Sequence, residues 1–157
     1  MNNTHILLGM KKRGFGEGNW NGFGGKVLPN ESIEDGAKRE LKEESGIIAT
    51  HLTKKARLQF SFENNPLVID GHVFVSHSHH GTPIETEEMK PKWFAHHDIP
   101  FHAMWQDDHL WLPDLIAGKF IYGKFHFDNV TLIRHNVQTF DTHEHFDIYT
   151  QSQLQHS

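Results

Sequence analysis

A short apolar run from Ile6 to Met10 predicts a strand, and glycines at 14, 16 and 18 predict a turn after it. The run from Trp20 to Phe23 can pair before Gly24-Gly25 opens a loop. Ser32-Ile33-Glu34-Asp35 resembles a capping box, with Asp35 where Glu is more usual, and starts a helix that Gly46 ends as its C′ residue. Arg57 to Phe62 reads as a strand, and Asn64-Asn65-Pro66 turns the chain. Leu67, Ile69, Val73 and Val75 then form the apolar half of a strand with period two. Met89 to Ala95 is extended, and Pro91 confines it to an edge or an irregular strand. Asp107 to Ala117 suits a short helix ended by Gly118, with Pro113 a kink or an early boundary. Phe120 to Phe127 and Val130 to Phe140 flank Asp128-Asn129 as a hairpin. Residues 145–157, rich in Gln, His and Ser, are expected to be a disordered tail.

Mixed strands with two helices make an α/β (α+β) fold, a mixed β-sheet sandwiched by helices. At 157 residues the chain suits one domain, expected over 1–144, large enough for a hydrophobic core. Apolar content is only 36%, but 12 Phe and 4 Trp bring large surfaces to bury. There is no cysteine, which removes a disulfide framework and a thiolate zinc site. A net charge of −5 weighs against non-specific binding to duplex nucleic acid. No apolar run approaches membrane-spanning length, and Met1 to Thr4 does not read as a secretory or transit leader. The 15 histidines are scattered, and adjacent pairs such as His79-His80 and His96-His97 point to opposite faces of extended backbone. Most read as exposed polar positions; His143 and His145 remain candidates for a weak surface ion site.

The acids of the first helix change the picture. Arg39, Glu40, Glu43 and Glu44 crowd its last turns, where the helix dipole disfavours negative charge. Glu40 and Glu44 also repel each other at i, i+4. Both fall on the face of Ile33 and Ala37, the face expected to turn inward, with Glu43 beside them. Carboxylates gathered beside an apolar face call for a cation, and oxygen ligands suit a hard ion such as Mg²⁺. A solvated helix end is the bland alternative, and the spacing argues against it.

The segment Gly25 to Ile47 resembles the signature box of the Nudix hydrolases at every defining position. These are Gly25, Glu31, Arg39-Glu40-Leu41, Glu43-Glu44 and Gly46-Ile47, nine positions in register over twenty-three residues. The flanks are similar to the animal MutT homologues, hydrolases of oxidised purine nucleoside triphosphates. They include Leu7 to Gly16, Trp20 to Val27, Gly81-Thr82-Pro83, Glu88-Met89, Trp93-Phe94, Ile99-Pro100-Phe101 and Met104 to Asp108. The likeness runs from about Leu7 to near Phe140.

The resemblance implies that Glu40, Glu43 and Glu44 hold Mg²⁺ with the carbonyl of Gly24 and with Glu88, although Glu85, Glu87 and Glu88 would also suit a solvated acidic turn. Such a cation neutralises the diphosphate and lowers the pKa of water. Arg39 is implied to pair with Glu31 and fix the helix end. Gly24 and Gly25 let the backbone approach phosphate, and Lys26 adds positive charge. For the base, Trp105 would stack, Asp107 and Asp108 would read one edge and Asn21 the other. Adjacent acids in an apolar pocket should raise at least one pKa, so that one carboxyl donates while the other accepts. Lys11, Phe15, Phe23, Phe60 and Gln106 also fall where the family lines its pocket, Gln106 in the place of a usual proline. Without the resemblance, Trp105 to Asp108 would read as an aromatic anchor followed by helix N-cap acids.

The expected reaction is Mg²⁺-dependent hydrolysis of 8-oxo-dGTP or 2-oxo-dATP to the monophosphate and pyrophosphate. The expected enzyme is a cytoplasmic monomer, with nuclear or mitochondrial pools as alternatives, acting on a small nucleotide and on neither nucleic acid polymer nor membrane. Two other readings stay open at this stage. One keeps the chemistry with another nucleoside diphosphate-linked substrate. The other is a truncated, inactive isoform, since the family has a strand before the one at Ile6 and this chain starts too late to include it.

Overall fold

The computed structural model describes residues 1–155. In chain order the elements are β1 His5–Lys11, β2 Trp20–Asn21, α1 Ile33–Ser45, β3 Ile48–Ala49, β4 Thr53–Phe62, β5 Asn65–Val75, β6 His79–His80, β7 Met89–Ala95, α2 Asp108–Ile116, β8 Phe120–Asp128, β9 Thr131–Phe140 and α3 His143–Leu154. Strands and helices mix as an α+β chain. The chain forms two compact units, Met1–Thr53 with Phe74–Trp105, and Lys54–Val73 with the chain from Gln106 on.

In the first unit β1 is the centre of a three-stranded sheet in the order β2-β1-β7. β1 and β7 run antiparallel, from His5 opposite Ala95 to Lys11 opposite Met89. Pro91 has no N–H to give, and β7 is an edge strand, as proline requires. Leu8, Ile47, Met89, Phe94, Ile99 and Met104 are buried here. Ser32 caps α1 by accepting the Asp35 N–H at 3.0 Å, and Gly46 ends it in the left-handed region, its N–H returning to the Lys42 carbonyl. The inward face of α1 is displaced from the expected one. Ile33 is exposed, while Gly36 and Ser45 are buried. Glu40 and Glu44 stand at i+4 and i+8 from Gly36 and so remain on the inward side.

The second unit is built on a sheet in the order β5-β4-β8-β9. β4 and β8 are parallel, with Ala56 opposite Ile121, while β8 and β9 form the expected antiparallel hairpin. Ala56, Leu58, Ile121, Phe125 and Phe127 are buried. Leu67 and Ile69, expected to face inward, are exposed on the edge strand β5; alternation identifies a strand but not what covers it.

The expected disordered tail is corrected by α3. Its N-cap Thr142 accepts the His145 N–H, and Phe146 is buried against Phe120 and Phe140 at ring distances of 5.7 and 6.2 Å. Tyr149 meets Tyr122 edge-on at 5.3 Å. Phe146, Tyr149 and Thr150 are spaced i, i+3 and i+4, so a mostly polar segment still presents one sticky stripe. Residues 156 and 157 of that expected tail lie outside the described residues.

Candidate active site

The end of α1 returns its acids toward the loop that precedes it. Glu44 Oε1 accepts the backbone N–H of Gly24 at 2.8 Å. Gly25 comes so close to the helix that a Cβ there would lie 2.7 Å from the Glu40 carboxyl, which would have to move aside. Arg39 locks the arrangement. It donates from Nε and Nη2 to Glu31 at 2.8 and 3.1 Å, from Nη2 to the Lys26 carbonyl at 3.1 Å, and from Nη1 to Glu40 and Glu43 at 3.0 and 3.2 Å. The guanidinium holds Glu31 below the usual carboxylate range.

Glu44 stands apart from this network. Burial pushes its carboxyl up to about 7 against the lowering effect of the Gly24 N–H. Repulsion from Glu40 and Glu88 adds to the rise, and Lys11 opposes it. Glu40, Glu88 and Lys11 therefore all stand near enough to Glu44 to be felt. Glu88 bonds to Arg13, which holds its carboxyl below the ordinary range. Among the described residues, no three His, Cys, Asp or Glu side chains are gathered as a ready ion cage, and His143 bonds to Asp147. The donor set nonetheless fits a hard divalent ion. It is made of oxygens alone, and its central carboxyl is under like-charge repulsion that a cation would relieve.

Other residues singled out in the sequence take varied places in the first unit. Phe15 is exposed and packs at 5.2 Å against Trp105, which also faces Gly16. The Phe23 ring packs on Gly9, where a Cβ would lie 2.7 Å from it. Asn21 donates to the Asn19 carbonyl at 3.2 Å, leaving its own side-chain oxygen as an acceptor. The Lys26 side chain is exposed.

In the second unit Phe60 stacks with Phe125 at 5.6 Å. Gln106 turns its side-chain oxygen to the Leu132 N–H at 2.7 Å, so that acceptor is already engaged. Asp107 is 2% exposed and precedes α2, yet its side chain makes no capping bond. It accepts instead from Trp111 Nε1 at 2.8 Å. Burial pushes Asp108 up to about 8, and the charge of Asp107 adds to the rise. Burial also raises Asp107, and bonds from Trp111 and Asp108 oppose that rise, so the two carboxyls titrate as a pair.

Sequence reasoning passed over two participants. Trp111 lies four residues after Asp107, a helical spacing that could have suggested the contact. Arg13 carried no local signal, because its partner is seventy-five residues away.

The chain is similar to several known proteins. The NUDIX domain model matches residues 1–115. The chain is 49% identical over 138 residues to the oxidized purine nucleoside triphosphate hydrolase of Mus musculus, covering 87% of this chain and 88% of that one. It is 47% identical over 128 residues to the protein of that name from Danio rerio, covering 82% of each. A mutator MutT protein from Bacillus halodurans shares the fold with a TM-score of 0.79, at 24% identity over 88% of this chain and 92% of its own. A MutT NUDIX hydrolase from Burkholderia pseudomallei aligns with a TM-score of 0.59, at 30% identity over 64% of this chain and 80% of its own. The box at the end of α1 and the match over most of the chain lead to one conclusion: this protein belongs to the NUDIX family.

Proposed function

We propose that this protein is a Mg²⁺-dependent diphosphatase that hydrolyses oxidised purine nucleoside triphosphates, such as 8-oxo-dGTP and 2-oxo-dATP, to the monophosphate and pyrophosphate. The observation that carries this reading is its likeness, over most of both chains, to the mouse protein named for hydrolysis of oxidized purine nucleoside triphosphates. Glu40, Glu43, Glu44, Glu88 and the Gly24 carbonyl are the groups that would hold the cation. When bound, that ion supplies charge neutralisation for the phosphates and acidifies water.

The chain's own residues do the rest. Arg39 keeps the end of α1 and the loop at Lys26 in one geometry, supported by its five hydrogen bonds. Gly24 and Gly25 leave room for phosphate beside the backbone, and Lys11 and Lys26 bring positive charge to it. Trp105 offers a face to the purine, and Phe15, Phe23 and Phe60 are the apolar residues that the family resemblance adds. Asp108 donates and Asp107 accepts at the base edge, and Asn21 offers both functions. That pairing suits 8-oxoguanine and 2-oxoadenine alike, whose donors and acceptors differ. The occupied oxygen of Gln106 supports a role in holding the backbone there rather than in reading the base.

The test is pyrophosphate release with Mg²⁺ from 8-oxo-dGTP, 2-oxo-dATP, dGTP and dATP, set beside AMP release from ADP-ribose. Preference for the two oxidised triphosphates is expected. Faster turnover of ADP-ribose would overturn the substrate assignment and leave only the family chemistry.

A further inference from the structure

Two arginines occupy the acids around Glu44, and they are held very differently. Arg39 is 24% exposed and is tied by five hydrogen bonds, three of them to partners other than Glu40 and Glu43. Arg13 is 60% exposed, and the bonds of its guanidinium go to Glu88, with Glu87 3.8 Å away. The residue before it holds the backbone. Lys12 Nζ donates to Glu85 at 2.6 Å and to the Thr86 carbonyl at 2.7 Å, and the Lys12 N–H donates to the Glu88 carbonyl at 2.9 Å. Lys12 therefore keeps the 85–88 loop in place, and Arg13 holds only a carboxylate. Gly14 follows at φ +82°, so the chain bends away directly after Arg13. The guanidinium can leave Glu88 without loosening either β1 or the loop.

We propose that Arg13 is an exchangeable counter-cation for Glu88: it neutralises this carboxylate while no divalent ion is bound, and yields it when the ion arrives. The inference rests on the reading of Glu88 as a cation ligand given above. Both guanidinium bonds go to Glu88 Oε1, so guanidinium and ion would compete for one carboxylate. An exposed pair between single charges is weak, so a divalent ion with several carboxylates around it displaces the arginine. Until then the pair lowers the repulsion between Glu88 and Glu44, so the empty acidic site is tolerated in the folded chain. Arg13 is on this account a positioning residue, acting through Glu88.

The experiment measures Mn²⁺ binding to the full chain without nucleotide, by the electron paramagnetic resonance signal of the free ion. Arg13→Gln should tighten Mn²⁺ by about two- to fivefold, the factor that an exposed ion pair supplies. Arg13→Lys, which keeps the charge but not the fork, should fall between parent and Gln. Glu88→Gln should weaken Mn²⁺, and in that background Arg13→Gln should have no further effect. Thermal melts give a second readout: Arg13→Gln should lower the melting temperature without Mn²⁺ but not at saturating Mn²⁺. A purely structural ion pair would lower it equally in both. Unchanged or weaker Mn²⁺ binding in Arg13→Gln, with Glu88→Gln impaired, overturns the exchange alone. Parent-like Mn²⁺ binding in Glu88→Gln overturns the ligand reading and the exchange with it. Should Arg13→Gln fail to fold, the Lys variant decides by the same comparison.

Discussion

Glu44 and Gly24, twenty residues apart in the chain, meet through a 2.8 Å hydrogen bond from the Gly24 amide to the Glu44 carboxylate. The contact fastens the last turn of α1 to the loop ahead of it. The same carboxylate stands under the repulsion of Glu40 and Glu88. A carboxylate so placed is suited to a cation more than to an arginine.

Glu44→Gln keeps the volume and removes the central charge. Mg²⁺-dependent pyrophosphate release should fall by more than about a hundredfold, because losing a ligand exceeds the loss seen for an outer-shell partner. The fold should persist, since the Gln side-chain oxygen can still accept the Gly24 N–H. Turnover within about threefold of the parent would remove Glu44 from the cation site.

Asp107→Asn and Asp108→Asn should impair oxidised purine nucleotides selectively and leave Mn²⁺ affinity at the parent value. The reason is the base-reading role proposed for the two aspartates, neither of which is among the groups proposed to hold the cation. Competition assays with oxidised and ordinary triphosphates give the answer. An equal loss for every nucleotide, or weakened ion binding, would refute the division.

The raised pKa of Asp108 also has a consequence for stability. In the unfolded chain this acid releases its proton near its ordinary value of about 4. In the folded chain it keeps the proton up to about 8. Over that window the native state binds more protons, so stability falls as pH rises from about 4 to about 8. Asn cannot ionise, and Asp108→Asn should flatten this slope in urea unfolding curves taken across the window. An unaltered slope would show that Asp108 does not hold the proton.

Trp111→Phe removes the N–H that reaches the buried Asp107 and keeps an aromatic ring. The loss should destabilise the chain by about 1–3 kcal/mol, the usual effect of depriving a buried acceptor of its donor. The same variant should raise the pKa of Asp107 further, since the Trp111 bond is what lowers it. Chemical shifts of the carboxyl carbons followed against pH would reveal it. A titration identical to that of the parent would deny the bond any influence.

Phe146→Ala tests the C-terminal helix. Removing a buried phenylalanine typically destabilises by about 3–5 kcal/mol, and here the ring packs between Phe120 and Phe140. Limited proteolysis should then cut within α3 well before the rest of the chain. Resistance equal to the parent would mean that the helix is held by Tyr149 and Thr150 without it.

What could be read from the chain was what neighbours in sequence decide among themselves. Ser32, Asp35 and Gly46 set the ends of α1 through local backbone geometry and hydrogen bonds, so the helix was legible to the residue. Asp128-Asn129 likewise marked the hairpin, with Asn129 in the left-handed region. The acidic box was legible because its positions lie within twenty-three residues and are constrained by one helix and one loop.

What needed the tertiary structure was every property set by a distant partner. Strand β4 starts at Thr53 rather than Arg57, and its Lys55, which does not look like a strand residue, lays its ammonium over the Phe120 ring at 3.8 Å. Leu67 and Ile69 are apolar yet uncovered, since burial depends on which sheet edge a strand occupies. α3 is ordered because Phe120, Tyr122 and Phe140 provide a surface for its stripe, which composition alone does not reveal. Residue type and local spacing thus determined the family, the first helix and the acids available for chemistry. Packing across long separations decided which acid stands without an arginine, which aspartate keeps a proton, and that Arg13 shields Glu88. Electrostatic energy depends on distance and burial, and neither is a property of position along the chain.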